Sequence, residues 1–201
     1  MKVTVIDYGA GNVTSVERTL RKLGAEVITT NRPEEVRAAK VLILPGVGHC
    51  GALIGALDAH SLRGPLLEAI EGGAKFLGIC LGLQALYEGS DEASELAGLG
   101  LLKGRVTRLP IGVKLPHMGW NKLSLSRTSV LLGDISPDAF FYFAHSYAAP
   151  ASGLERVAGC THGSEFMAVA EQNNLFGVQF HPEKSGAPGA QLLDNFLRRA
   201  A

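Results

Sequence analysis

The sequence predicts an α/β fold: an open, mostly parallel sheet flanked by helices, with an antiparallel extension. Three observations carry this. In the first half, short apolar or β-branched runs alternate with helical patterns. Strands alternating with helices imply right-handed crossovers and a sheet covered on both faces. After about Gly100 strand patterns follow one another without intervening helices. No repeat, low-complexity tract or linker interrupts the 201 residues, so 1–201 reads as one domain.

Residues 2–7 read as a buried strand. Asn12 can cap a helix that runs to about Leu23, where Val16, Leu20 and Leu23 recur at helical spacing and Gly24 stops it. Residues 26–30 and 40–44 are further strands, the second ending at Pro45-Gly46. Residues 62–70 look helical, and Gly72-Gly73 ends them. Residues 75–79 form a strand, followed by a helix over about 81–88. In the second half, 105–109, 122–125, 141–147, 166–171 and 175–180 read as strands, with Asn173-Asn174 as a hairpin turn. A terminal helix covers about 189–199, its two closing arginines suiting the helix dipole.

Lysine plus arginine equals aspartate plus glutamate, 19 each, so no net field favours nucleic acid or an anionic membrane. The apolar runs fall well short of the ~20 residues that span a bilayer. The chain opens on a strand with no signal peptide, which suggests a cytoplasmic protein. Cys50, Cys80 and Cys160 are odd in number and form no CxxC pair. A disulfide framework or metal site is not expected.

The segment Gly78-Ile79-Cys80-Leu81-Gly82 follows a strand and opens a helix. It matches the nucleophile elbow, with cysteine in place of serine. Side chains flanking such a strained turn would collide, which demands glycine at 78 and 82. The turn lifts the sulfur to the C-terminal edge of the sheet, where open α/β sheets place ligands. The adjacent helix N-terminus favours a thiolate. The backbone N–H of Leu81 becomes one oxyanion donor. On the elbow alone, Cys80 reads about equally as a nucleophile or as corner filler. Cys50 and Cys160 lack the pattern and read as structural.

A cysteine nucleophile needs a base and a third group to hold that base. Val178-Gln179-Phe180-His181-Pro182-Glu183 closes a strand. His181 and Glu183, two apart in extended backbone, project to one side, and Pro182 keeps the preceding residue extended. Glu183 can then orient the His181 imidazole. His49, His60 and His162 read as solvated loop residues; His117 and His145 read as loop supports. Leu44-Pro45-Gly46-Val47-Gly48 is a strand entering a glycine turn, and an amide near Val47 or Gly48 can face Leu81 as the second oxyanion donor. The P-loop lysine is missing from it.

Taken together, these three segments resemble the class I (triad-type) glutamine amidotransferases, whose sheet is flavodoxin-like. Residues 7–12, Leu115-Pro116-His117-Met118-Gly119-Trp120-Asn121, 141–147 and Lys184-Ser185 narrow the resemblance to the glutaminase subunits of imidazole glycerol phosphate synthase. The resemblance implies hydrolysis of glutamine at a Cys80–His181–Glu183 triad, with no cofactor. It implies a glutamine pocket lined by Gly48, Gln84, Ser146 and Tyr147. It also implies that ammonia passes to a separate (β/α)8-barrel cyclase subunit. That subunit makes imidazole glycerol phosphate and an aminoimidazole carboxamide ribonucleotide in histidine biosynthesis. Asn12, Met118, Trp120, Tyr142 and Lys184 are candidates for the partner face, with Trp120 open to a core reading instead. The rival within the class is the glutaminase that feeds pyridoxal phosphate synthesis, against which the 117–120 segment argues. Residues 126–139 and 148–165 carry no motif.

Overall fold

The four strands expected in the first half all form. In the computed structural model, which describes residues 1–10, 12–153 and 155–200, they are β1 (Lys2–Ile6), β2 (Glu26–Thr30), β3 (Val41–Gly46) and β4 (Lys75–Cys80). Gly11, part of the 7–12 run, and Leu154 lie outside the described residues. Between the strands run α1 (Val13–Lys22), α2 (Pro33–Ala38), α3 (Cys50–Ala59) and α4 (Arg63–Glu71). After β4 come α5 (Leu81–Gln84), β5 (Gly89–Ser90), β6 (Ala93–Ala97), β7 (Arg105–Arg108), β8 (His117–Lys122) and β9 (Ser124–Leu125). The chain ends through β10 (Phe140–His145), β11 (Tyr147–Ala148), β12 (Arg156–His162), β13 (Ser164–Gln172), β14 (Leu175–Val178), a 3-10 turn (Pro182–Lys184) and α6 (Gly186–Ala200).

Among the described residues the main sheet has strand order β2-β1-β3-β4-β14-β13-β12-β9. The first five are parallel, and β13, β12 and β9 continue antiparallel. Smaller sheets join β10 to β8, and β11, β7, β5 and β6. Side chains alternate across the pleat, so neighbouring strand residues enter different cores. Ile43, Leu77 and Ile79 pack with Val16 and Leu20 of α1 and Leu192, Leu193 and Phe196 of α6. Leu42, Leu44 and Phe76 pack with Leu53, Ile54 and Leu57 of α3 and Leu66 and Ile70 of α4. Both faces of the parallel sheet are thereby covered, which is why the central β3 and β4 are almost wholly apolar while the edge strand β2 keeps exposed polar residues.

Several expectations change. The helix expected over 81–88 stops at Gln84, because the next carbonyls are taken from elsewhere. Leu99 donates to Ala85, and Leu101 and Leu102 both donate to Leu86. Helix α3 was not foreseen: Gly51 and Gly55 hide it in the sequence, and the His49 ring, accepting from the Gly51 N–H at 3.0 Å, caps it. His49 is therefore a cap rather than a free loop residue. The strand expected over 122–125 is replaced by β8 and β9, since the chain from His117 onward pairs with β10 in the register Tyr142 to Trp120. Asn173 adopts φ +55° and joins β13 to β14 as the expected hairpin. Among the described residues no helix is long and apolar enough to cross a membrane, and no cluster of three or more His, Cys, Asp or Glu could hold a metal ion.

Candidate active site

Cys80 ends β4 and begins α5 with φ +54° and ψ −106°. This is a costly conformation for a residue with a side chain, and its neighbours enforce it. A Cβ on Gly78 would lie 2.4 Å from the Gly82 carbonyl, and one on Gly82 would lie 1.9 Å from the Leu44 carbonyl oxygen. Both glycines are thus sterically required by the turn, as the sequence pattern predicts. Leu81 is the first residue of α5, where an amide has no acceptor within the helix.

His181 is brought to the sulfur by β14, which pairs parallel with β4 in the register Val178 to Ile79. Its backbone is held by β10 on one side and by Ser185, beyond the 3-10 turn, on the other. The His181 N–H donates to the Tyr142 carbonyl at 2.9 Å, and its carbonyl accepts from Ser185 Oγ at 2.6 Å. The Tyr142 N–H in turn donates to Ser185 Oγ at 3.0 Å. The ring faces Cys80 across the cleft, and its Nδ1 lies 3.0 Å from Glu183 Oε1. Burial disfavours the imidazolium, but the bonds to Cys80 and Glu183 and their negative charges outweigh it and push His181 up to about 9.

Glu183 does not sit in the extended backbone that the spacing suggested. It lies in the 3-10 turn after an extended His181, and the turn swings its carboxylate back onto Nδ1. The same oxygen accepts from Asn12 Nδ2 at 3.1 Å. Contrary to expectation, Asn12 does not cap α1 with its side chain; it ties the start of α1 to Glu183 instead.

A cleft of about 220 Å³ opens beside the sulfur, lined by Val47, Gly48, Gln84, Ser146, Tyr147 and His181 among others. All four residues expected to line a glutamine pocket are there. Gln84 is buried, and its Nε2 donates to the Tyr147 carbonyl at 2.8 Å and to Gln179 Oε1 at 3.0 Å. Its own Oε1 is buried and, among the described residues, has no partner. Val47 behaves differently from expectation: its N–H is taken by the Tyr8 hydroxyl at 3.4 Å. Burial pushes Tyr8 up to about 12, so that hydroxyl stays neutral. Gly48 has φ +93°.

Three other histidines, His117 of β8, His145 of β10 and His162 of β12, pack together. His145 and His117 are buried, with His117 Nδ1 3.1 Å from His145 Nε2. His162 stacks on His117 with ring centroids 4.2 Å apart, so it is a packed residue and not the solvated one expected. Burial, reinforced by neighbouring imidazoles, pushes His117 down to about 4 and His145 to about 3. Cys50 and Cys160 are buried away from this chemistry, and burial raises both thiols, Cys160 to about 12. Met118 and Trp120 are 65% and 54% exposed, which removes the core reading of Trp120. Trp120 meets Tyr142 edge-on at 5.8 Å, and Lys184 Nζ lies 5.8 Å from the Tyr142 ring centroid.

Sequence reasoning missed Tyr8, Gln179 and the placement of His145 on the cleft wall. Gln179 carried a signal, a lone amide in an otherwise apolar strand end. The other two depend on contacts the sequence does not encode locally.

A family model for class-I glutamine amidotransferases matches residues 4–200. The imidazole glycerol phosphate synthase subunit HisH of Desulfitobacterium hafniense is 46% identical over 195 residues, covering 96% of this chain and 92% of that one. The subunits of the same name from Methanothermobacter thermautotrophicus and Aquifex aeolicus are 46% and 44% identical, covering 97% and 98% of their own length. Among solved structures, a glutamine amidotransferase aligns with TM-score 0.78 at 21% identity over 98% of both chains. PurLQS from Thermotoga maritima aligns with TM-score 0.77 at 22% identity, covering 100% of this chain and 99% of that one. The fold, the placement of the elbow and these similarities agree: the chain belongs to the class-I glutamine amidotransferases, in the family of the imidazole glycerol phosphate synthase subunit HisH.

Proposed function

We propose that this chain hydrolyses L-glutamine and delivers the ammonia to a (β/α)8-barrel cyclase subunit that makes imidazole glycerol phosphate in histidine biosynthesis, in the cytoplasm. The observation that carries the chemistry is the buried Cys80–His181–Glu183 array, in which Glu183 Oε1 lies 3.0 Å from His181 Nδ1 and the imidazole is pushed toward its charged form. The Cys80 thiolate attacks the side-chain amide carbon of glutamine, and the carbonyl oxygen becomes an oxyanion facing the Leu81 amide. The His181 imidazolium gives its proton to the departing nitrogen, and ammonia leaves a thioester. Water then attacks the thioester, losing a proton to His181, and glutamate departs with the thiolate restored. Glu183 holds the imidazole throughout. The unpartnered Gln84 Oε1 suits a donor group of the substrate.

In this reading, Val47 or Gly48 supplies the second oxyanion donor. For Val47 that requires the turn to release its N–H from Tyr8. Met118, Trp120, Tyr142 and Lys184 form the partner face; Asn12 sits behind it, bonded to Glu183. The relatives share the HisH name, so the rival pyridoxal phosphate pathway gains no support.

The test uses the chain co-purified with its host's cyclase. Cys80→Ala abolishes glutamine-dependent synthesis and leaves ammonia-dependent synthesis intact. Glutamate release by that variant refutes the nucleophile, and equal release with and without the nucleotide substrate refutes the coupling.

A further inference from the structure

Gln179 is fully buried, one residue past β14 and two before His181, and none of the steps above uses it. The sense of its amide follows from a carbonyl two links away. The Tyr147 carbonyl can only accept, so the group 2.8 Å from it must be the nitrogen of Gln84. The second hydrogen of that nitrogen points at Gln179, 3.0 Å away, so the Gln179 oxygen faces Gln84. The Gln179 nitrogen is left 3.5 Å from Cys80 Sγ. Sulfur is the acceptor there, and a thiolate accepts far better than a thiol.

The other lone pair of the same carbonyl fixes the histidines. His145 Nδ1 lies 2.9 Å from the Tyr147 oxygen and must donate, so its Nε2 accepts from His117 Nδ1 at 3.1 Å. One carbonyl thus sets the orientation of two amides and two imidazoles, and one branch ends on the sulfur.

We propose that Gln179 is a positioning residue that donates a hydrogen bond to the Cys80 thiolate, its amide locked in that sense by Gln84 and the Tyr147 carbonyl. This rests on Cys80 being the nucleophile. The sulfur is then held by two donors, His181 and Gln179. The second donor stabilises the thiolate both before attack and as it leaves the thioester.

Two variants separate this from a packing role. Gln179→Glu keeps an acceptor for Gln84 and sets a carboxylate oxygen against the sulfur. Gln179→Met removes both bonds at similar volume. The readout is the rate of iodoacetamide alkylation at Cys80, followed by peptide mass across a pH series on the full chain. Both variants slow alkylation at neutral pH by about tenfold or more and move its profile to higher pH. In the assembled enzyme kcat falls while KM for glutamine holds. An unchanged alkylation profile in a folded variant overturns the inference. A third measurement needs no variant: in the wild-type chain, the Gln179 side-chain amide protons shift in NMR spectra when Cys80 is alkylated, and absence of that shift overturns it too. If Cys80→Ala is inactive and these readouts are flat, only the role of Gln179 falls. If Cys80→Ala stays active, the nucleophile falls first.

Discussion

His181 and His145 line the same cleft, both are buried, and their charges are opposite in tendency. His181 faces a sulfur and a carboxylate, and is pushed up to about 9. His145 faces a carbonyl and another imidazole, and is pushed down to about 3. Burial opposes the charged form in both. What differs is the charge of the partner, and partner charge decides the outcome. One imidazole is drawn toward its charged form; the other is held toward its neutral one.

The sharpest break of this comparison is kinetic. His181→Gln lowers the glutamine-dependent rate about a thousandfold or more, because both the acid and the base are lost. His145→Gln lowers it far less, since only the hold on the Tyr147 carbonyl is weakened. Equal losses in steady-state assays of the two variants refute the division into catalyst and scaffold.

The next effect is on stability, and the two sites give it opposite signs. The folded pKa values of His117 and His145 lie below the ordinary 6.5. Between about pH 6.5 and 4 the unfolded chain therefore binds protons that the fold does not. Their contribution is present above 6.5 and lost as pH falls through that window, on the order of 1–3 kcal/mol in urea unfolding. His181 has a raised folded pKa, so its contribution is full below about 6.5 and lost as pH rises through about 9. His117→Phe flattens the acid limb and leaves the alkaline one; a variant that moves both limbs together contradicts the separation.

The smallest effect sharpens the catalytic side. Asn12→Ala removes one donor from Glu183 Oε1 and lowers kcat a few-fold, with the association of the subunits unchanged. A loss of association instead of turnover would return Asn12 to the partner face.

Much of this was legible in the sequence because it is local. Residues 75–84 encode a strand, a forced turn and the cysteine at its corner within ten positions, and steric demand at Gly78 and Gly82 writes itself as composition. The same holds for the β1 to β4 strands and the Asn173 hairpin. The rest depends on partners far along the chain. Gln84 and Gln179 are 95 residues apart, Val47 and Tyr8 are 39 apart, and Asn12 and Glu183 are 171 apart. Nothing in residues 81–88 announces that Leu99, Leu101 and Leu102 will claim the carbonyls that end α5. His162 reads as a loop residue beside Gly163, and only its stacking on His117 reveals it as packed.

The insertion of β14 between β4 and β13 has a temporal meaning. Chains are made from the N-terminus, and pairings between distant segments form late. Cys80 is synthesised long before His181, and the pairing of Val178 with Ile79 brings the two together. In a chain that ends before β14, Cys80 has not yet met His181. The pocket beside Cys80 is thus completed by a long-range pairing, and its geometry depends on the last parallel strand joining the sheet.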